Sequence, residues 1–268
     1  MDRDRPAMES PKLSFQEVTM VFETDHGPVT ALRDVSLDIL SGEFVCIVGA
    51  SGGGKSTLLH IAAGLRQQTS GTVMVDGHLV RGPGPDRAVI FQDDAVFPWM
   101  RVAQNVEYGL KAQGVPAADR ESRVEQMIEL VGLQDWERSF PKQLSGGMRK
   151  RVDIARAFAN RPEVVLMDEP FGGLDAVTKE TLQVETLRIW EREHKTILFV
   201  THDLEEAVFL ADRIVMLQRG EPPHIYDNDL PRPRTAELRT SSELQKRRGE
   251  LSKLLAGQEI ESGAHHGA

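Results

Sequence analysis

The chain has 268 residues, 40% of them hydrophobic, enough for one large α/β domain or a core with a smaller inserted subdomain, with no sign of disorder or fibrous repeat. Its 41 acidic residues outnumber 32 basic ones and give a formal charge of −9, so no broad electrostatic footprint for a polynucleotide is expected and nucleic acid is not an expected partner. The one cysteine, Cys46, has nothing to pair with and fits a plain buried thiol in a reducing compartment; no stretch approaches the ~20 apolar residues that cross a bilayer, and the opening MDRDRPAMES has no apolar targeting core.

In chain order, KLSFQEVTMVF and VTALRDVSLDI read as strands, and the buried run FVCIVG leads into the Gly-rich stretch GASGGGKST at 49–57. A helix over KSTLLHIAAGL follows, then SGTVMVDGHLV, whose Asp76-Gly77 pair predicts a hairpin turn, and the short strand RAVIF, ending at Gln92. From about 94 to 161 the pattern turns helical. In ESRVEQMIELVG, the residues Val124, Met127, Ile128 and Val131 recur on one face, with Gly132 placed as a C-cap. Strands return with EVVLMDE and TILFVTH around the helix DAVTKETLQVETLRIWEREHK, and the helix DLEEAVFLADR precedes the strand RIVML. Such alternation predicts a mostly parallel sheet with helical cover. After Gly220 the chain becomes proline-rich and charged, then amphipathic in SSELQKRRGELSKLLAG; the last forty or so residues read as an appendage.

GASGGGKST satisfies G-x-x-x-x-G-K-[ST] between an apolar strand and a helix, the context a phosphate loop requires. The glycines let successive N–H groups face one anion, Lys55 would reach the β- and γ-phosphates, and the Ser56 hydroxyl would sit on Mg²⁺. A chance Gly-rich turn is the alternative, and the flanking elements weigh against it. VVLMDEP at 164–170 carries two carboxylates to the end of a buried strand; Asp168 suits an acid that holds Mg²⁺ and Glu169 one that orients or deprotonates water, against the plainer reading of two solvated turn residues. QLSGGMRKRVDIARA at 143–157 starts with a Ser and a Gly pair before Met148, Val152, Ala155 and Ala159 recur on one helix face, which is how an anion site at a helix N-terminus is built. One chain thus has two phosphate-facing helix starts. An ordinary N-capped helix explains Ser145 but not two consecutive glycines.

Taken in order, these motifs resemble the nucleotide-binding subunit of an ATP-binding cassette (ABC) transporter, over about 12–222, with an N-terminal extension at 1–11 and a tail at 223–268. LSGGM at 144–148 resembles the family's signature loop, the most specific mark; Gln92 resembles the Q-loop, GGLD at 172–175 the D-loop and His202 in VTHD the switch histidine. The resemblance implies an α/β phosphate-loop NTPase (RecA-like) core with an N-terminal antiparallel β subdomain and an inserted α-helical subdomain at about 94–161. It implies an ATPase using ATP and Mg²⁺, with Glu169, His202, Lys55 and Gln92 as catalytic residues and Ser56, Gln92 and Asp168 at the metal. Nucleotide contacts would come from Phe22, Gly49, Ala50, Ser51, Gly52, Gly53, Gly54, Lys55, Ser56 and Thr57, and from Ser145, Gly146, Gly147 and Asp175. Phe22 would stack on adenine, or be an ordinary strand residue; the plainer alternative for His202 is a satisfied strand-end histidine. The other seven histidines, including His265 and His266, read as surface residues. Lys150 stands where the family commonly has glutamine and Gly173 where alanine is usual, and neither change removes a phosphate contact.

In this family two subunits pack head to tail, so the resemblance accounts for the two helix starts: each ATP uses the phosphate loop of one chain and the signature loop of a second copy. Membrane-spanning permease subunits would be further partners, with a solute-binding protein acting indirectly, and the subunit would be peripheral on the cytoplasmic face of the inner membrane. Phe97, Pro98, Trp99 and Met100, just after the Q-loop, read as a docking surface for the membrane partner, or as an anchor for the helical subdomain. FPWMRVAQNV, MDEPFGGLDAVTKETLQ and DLPRPRT together look like the branch energising bacterial uptake of nitrate, taurine and alkanesulfonates. An exporter or lipid-trafficking ATPase shares every catalytic motif and is the alternative. A soluble non-transport ATPase would need a long coiled coil between Lys55 and Ser145, or two cassettes in one chain.

Overall fold

A computed structural model describes residues 10–264. Five consecutive buried residues, Phe44–Val48, form β3, and their alternation decides the layering: Phe44, Cys46 and Val48 face one hydrophobic cluster while Val45 and Ile47 face another. The same split recurs in β7 (Val164–Asp168), with Val165 and Met167 opposite Val164 and Leu166, and in β8 (Thr196–Val200), with Ile197 and Phe199 opposite Leu198 and Val200. A strand buried on both faces has no room for polar alternation, which is why these segments are near-continuous apolar runs.

With β6 (Arg87–Ile90) and β9 (Arg213–Met216), these strands form a parallel sheet whose order is β10-β9-β3-β8-β7-β6, in which β10 (His224–Asp227) pairs antiparallel to β9. A second, antiparallel sheet, β2-β1-β4-β5, is built from β1 (Leu13–Thr24), β2 (Gly27–Ile39), β4 (Ser70–Val75) and β5 (His78–Leu79). Asp76 and Gly77 turn β4 into β5 with both φ positive, at 48° and 73°, the geometry the Asp-Gly pair predicts for a two-residue hairpin. Between the two sheets lies α1 (Lys55–Ala62), whose Leu58, Leu59, Ile61 and Ala62 fill the second cluster.

The helical block comprises α2 (Val102–Ala112), α3 (Ala117–Leu130) and α4 (Gly146–Ala159). Val124, Met127 and Ile128 on α3 are buried with Val131, as their spacing predicts, and Gly132 closes the helix at φ 66°. Across the same face of the parallel sheet lie α5 (Ala176–Glu193) and α6 (Leu204–Leu210). Cys46 is fully buried, and burial pushes its thiol well up from the ordinary range.

The stretch after Gly220 is not an appendage. Its β10 extends the parallel sheet, its Leu230, Leu244 and Leu251 are buried in the first cluster, and α7 (Ser242–Ala264) packs against α6. Prolines and charges hid this, because only a few widely spaced leucines are needed to seat a helix, while the buried Arg234 donates through its two terminal nitrogens to the carbonyls of Val208, Phe209, Ala211 and Leu230. The expected 1–11 extension, save residues 10 and 11, and His265 and His266 lie outside the described residues. Since Leu251 is fully buried, Leu251→Ala is expected to cost about 2–5 kcal/mol of stability, measured by denaturant unfolding; an unchanged midpoint would restore the appendage reading.

Candidate functional site

The four parallel strands β3, β6, β7 and β8 end side by side, and the backbone that leaves each one carries a predicted site residue: the glycine loop after Val48, Gln92 after Ile90, Asp168 and Glu169 at the end of β7, and His202 after Val200. Register sets the alignment, with Val48 level with Met216, Ile47 with Val200 and Asp168 with Val200. The carboxyl edge of an open parallel sheet is where such folds place ligands.

The glycine loop curls at Gly54, the residue before α1, which takes φ 88° and lies so close to the β2 backbone that a Cβ would fall 2.7 Å from the Ala31 carbonyl oxygen. The buried Lys55 turns its ammonium onto the loop itself, donating to the carbonyls of Gly49 at 3.0 Å and Ala50 at 2.9 Å. Burial lowers its pKa, against the opposing pull of Glu169 and Asp168. Beside it Ser56 Oγ donates to Asp168 Oδ1 at 2.9 Å. Burial raises the Asp168 carboxyl, and the Ser56 hydroxyl is the largest influence drawing it back. A hydroxyl and a carboxylate in contact form a hard oxygen pair, the donor set Mg²⁺ takes when phosphates and water complete its shell. Among the described residues no group of three or more His, Cys, Asp or Glu could hold a metal by itself.

Glu169 adopts φ 44°, a left-handed conformation uncommon for a side chain of this kind. Its N–H donates to Val200 O at 3.0 Å and its carbonyl accepts from Gly172 N at 3.0 Å, which turns the chain sharply off the strand. The carboxylate then meets the His202 ring, with Oε2 2.8 Å from Nδ1. Gln92 reaches the same turn: a Cβ on Gly172 would lie 2.9 Å from Gln92 Nε2. Lys55, Ser56, Gln92, Asp168, Glu169 and His202 are thus brought to one sheet edge.

Phe22, Gly52, Gly54, Lys55, Ser56 and Thr57 line a common cavity of about 350 Å³, together with Val29, Ala31 and Arg219. Phe22 is half-buried there, with the Arg66 guanidinium 5.0 Å over its ring. Ser145 and Gly147 line a different cavity, about 340 Å³, with Met148, Arg151, Thr178 and Trp136 among its walls, and no residue belongs to both. Ser145 caps α4, accepting from Met148 N at 3.3 Å, and Gly147 leaves no space for a side chain, since a Cβ would sit 2.6 Å from Thr178 Cγ2. Asp175 caps α5 the same way, accepting from Thr178 N at 3.0 Å, and the hydrogen bonds from Thr178 hold its carboxyl below the usual range. Within one chain, then, the two helix starts line separate cavities.

The chain matches the ABC transporter family over residues 32–172, more than half its length. The chain belongs to the ABC transporter family. A nitrate import ATP-binding protein of Synechocystis sp. is 46% identical over 258 residues, spanning 93% of this chain and 97% of the relative. A bicarbonate transport ATP-binding protein from the same organism is 47% identical over 214 residues, 79% of this chain and 75% of the relative. Among solved structures, the dimeric, post-hydrolysis ATP-binding cassette MJ0796 bound to ADP and Pi superposes with a TM-score of 0.71 at 31% identity, covering 82% of this chain and all of that one. The protein is accordingly an ABC ATPase with the phosphate-loop NTPase fold, and its nucleotide is ATP.

Some of the cassette's site neighbours left no mark in the motifs. Lys150, 2% exposed, sends Nζ from the signature helix to the carbonyls of Phe91 at 2.9 Å and Gln92 at 3.0 Å, so the departure from the family's glutamine ties α4 to the backbone of the Q-loop. His60, read as a surface residue, is only partly exposed and lies 3.6 Å from Asp168 Oδ2. Neither contact has a sequence signal, because the partners are 58 and 108 positions apart. After the Q-loop, the buried Asn105 holds the 97–101 loop through Phe97 and the carbonyls of Met100 and Arg101, while Trp99 projects outward with 70% of its surface exposed.

Proposed function

We propose that this chain is the ATP-hydrolysing subunit of an importer, closing on ATP as a head-to-tail pair to drive uptake of a small solute through separate membrane subunits. The observation that carries the reading is the 2.8 Å contact between Glu169 and His202 at a sheet edge that also holds Lys55, Ser56 and Asp168. In this reading the peptide N–H groups of residues 49–57 and the Lys55 ammonium bind the β- and γ-phosphates, and Phe22 packs against the adenine. Ser56 and Asp168 hold Mg²⁺, with Gln92 beside them; the ion supplies neutralisation of phosphate charge. Glu169 orients the attacking water and takes its proton, and His202 keeps that carboxylate aimed. Ser145, Gly146 and Gly147 serve the γ-phosphate of the nucleotide held by the other copy, and Asp175 lies at the junction between the copies. The separation of the two cavities within one chain supports this division, as does the dimeric state of the MJ0796 cassette.

Import is favoured over export because relatives matched over most of their length are named for nitrate import and bicarbonate transport. No helix among the described residues is long and apolar enough to cross a membrane, so the pathway would belong to other chains, with this one peripheral on the cytoplasmic face of the inner membrane. The exposed Trp99, tilted against Phe97 with ring centroids 5.7 Å apart, would receive them.

Two outcomes are expected. Glu169→Gln keeps the shape of the side chain and its contact with water but not its basicity, so hydrolysis falls by roughly 10²-fold or more, and an ATP-dependent dimer, absent with ADP, appears in size-exclusion chromatography; a variant that binds Mg-ATP yet stays monomeric contradicts the nucleotide-bridged pair. Trp99→Ala with Met100→Ala leaves the turnover of the isolated subunit unchanged and reduces the membrane subunits recovered with it from membranes; unfolding of the subunit would make the cluster an internal anchor instead.

A further inference from the structure

His202 is two-thirds exposed, and its contact with Glu169 is the one side-chain hydrogen bond it makes among the described residues. A ring so lightly held takes its position from the backbone on either side, and both neighbours enter a buried polar chain. Thr201, 2% exposed, donates its hydroxyl to Glu206 Oε2 and accepts the N–H of Asp203 at 3.0 Å, spanning His202. Glu206, 4% exposed, accepts through Oε1 from Gln183 Nε2 at 2.6 Å, and Lys179 stands 3.1 Å from Glu206 and 2.8 Å from Asp203. At the far end Gln183 Oε1 accepts from Arg239 Nη2, whose guanidinium lies 3.8 Å over the Phe209 ring. The amide of Gln183 has no freedom here, because a carboxylate can take only its NH₂ end and a guanidinium only its oxygen.

We propose that Arg239 is a positioning residue for ATP hydrolysis: acting through Gln183, Glu206 and Thr201, it fixes the backbone at 201–203 and so holds the His202 ring on Glu169. The segment after β10 thereby governs turnover without touching nucleotide. Without the guanidinium, Gln183 Oε1 is left unpaired in a dry interior, and relief by rotation of the amide breaks its bond to Glu206 and loosens Thr201 in turn. The inference rests on the reading of Glu169 and His202 given above.

The test uses the full-length subunit and steady-state ATP hydrolysis. Arg239→Met keeps an unbranched apolar side chain beside Phe209 and removes the donors; kcat is expected to fall roughly 5- to 30-fold, inside the range of coupling within one polar network, with KM for ATP unchanged. Thr201→Val, which exchanges one hydroxyl for a methyl, should give the same pattern from the other end, and the double variant should cost no more than the worse single one. Tyr226→Phe removes a hydrogen bond to Glu250 in the same C-terminal region but outside the chain of contacts, and should leave kcat at wild type. A wild-type kcat in folded Arg239→Met and Thr201→Val, additive effects in the pair, or an equal loss in Tyr226→Phe overturns the proposal. His202→Ala is assayed alongside: full turnover there overturns the reading of His202, whereas its loss with wild-type kcat in both network variants overturns this inference alone.

Discussion

The backbone ladder between β7 and β8 is the constraint from which the site follows. It runs in parallel register from Val164 opposite Thr196 to Asp168 opposite Val200, so the acidic strand end and the histidine loop emerge together, and it continues one step further in the bond from Glu169 N to Val200 O. That last bond holds Glu169 in its left-handed conformation, at a cost of order 1–3 kcal/mol. Val164, Val165, Leu166 and Met167 behind it are all fully buried, each contributing roughly 1.5–3 kcal/mol. Burial therefore outweighs the strain several times over, and the strained residue can be kept where the chemistry needs it.

A second consequence concerns what one chain cannot do alone. The phosphate loop and the signature loop are both helix starts, but α1 is wedged between the two sheets while α4 belongs to the helical block on the opposite face of the parallel sheet. The layering keeps their cavities apart, and in the function proposed above a second copy brings its Ser145 to the nucleotide held at Lys55. Lys150 makes the block more than a passive carrier, since its bonds to the Phe91 and Gln92 carbonyls attach the signature helix to the strand end that supplies Gln92. The price of burying that lysine is met by Asp94 and Asp153, whose carboxylates stand 3.8 and 3.9 Å away.

Much of this was legible in the residues because its physics is local. A double-sided apolar strand announces itself as a continuous run, the hairpin at Asp76-Gly77 needs positive φ twice, and the phosphate loop needs glycine where Ala31 comes close. The family resemblance named Glu169 and His202 separately as catalytic residues, but their contact was not read, since nothing in two short motifs 33 positions apart states their register. What stayed hidden is long-range and sparse. Arg234, Arg239 and Lys150 look like surface charges in sequence and are buried, each hydrogen-bonded to carbonyls or an amide contributed by distant segments. The C-terminal region was misread for the same reason: prolines and charges dominate its composition, whereas its placement depends on Leu230, Leu244 and Leu251.

Complementation between two copies is the central claim, and nucleotide affinity of the monomer examines it most directly, with ATP turnover measured on the same sample. In the proposed pair Ser145 serves the nucleotide of the other copy, so in Ser145→Arg the monomer should bind ATP as the wild type does while turnover is lost; Lys55→Ala should weaken binding itself, because a charge on the phosphates is removed. A loss of monomer affinity in Ser145→Arg comparable with that in Lys55→Ala would mean that both helix starts serve the same nucleotide within one chain, and would contradict the account.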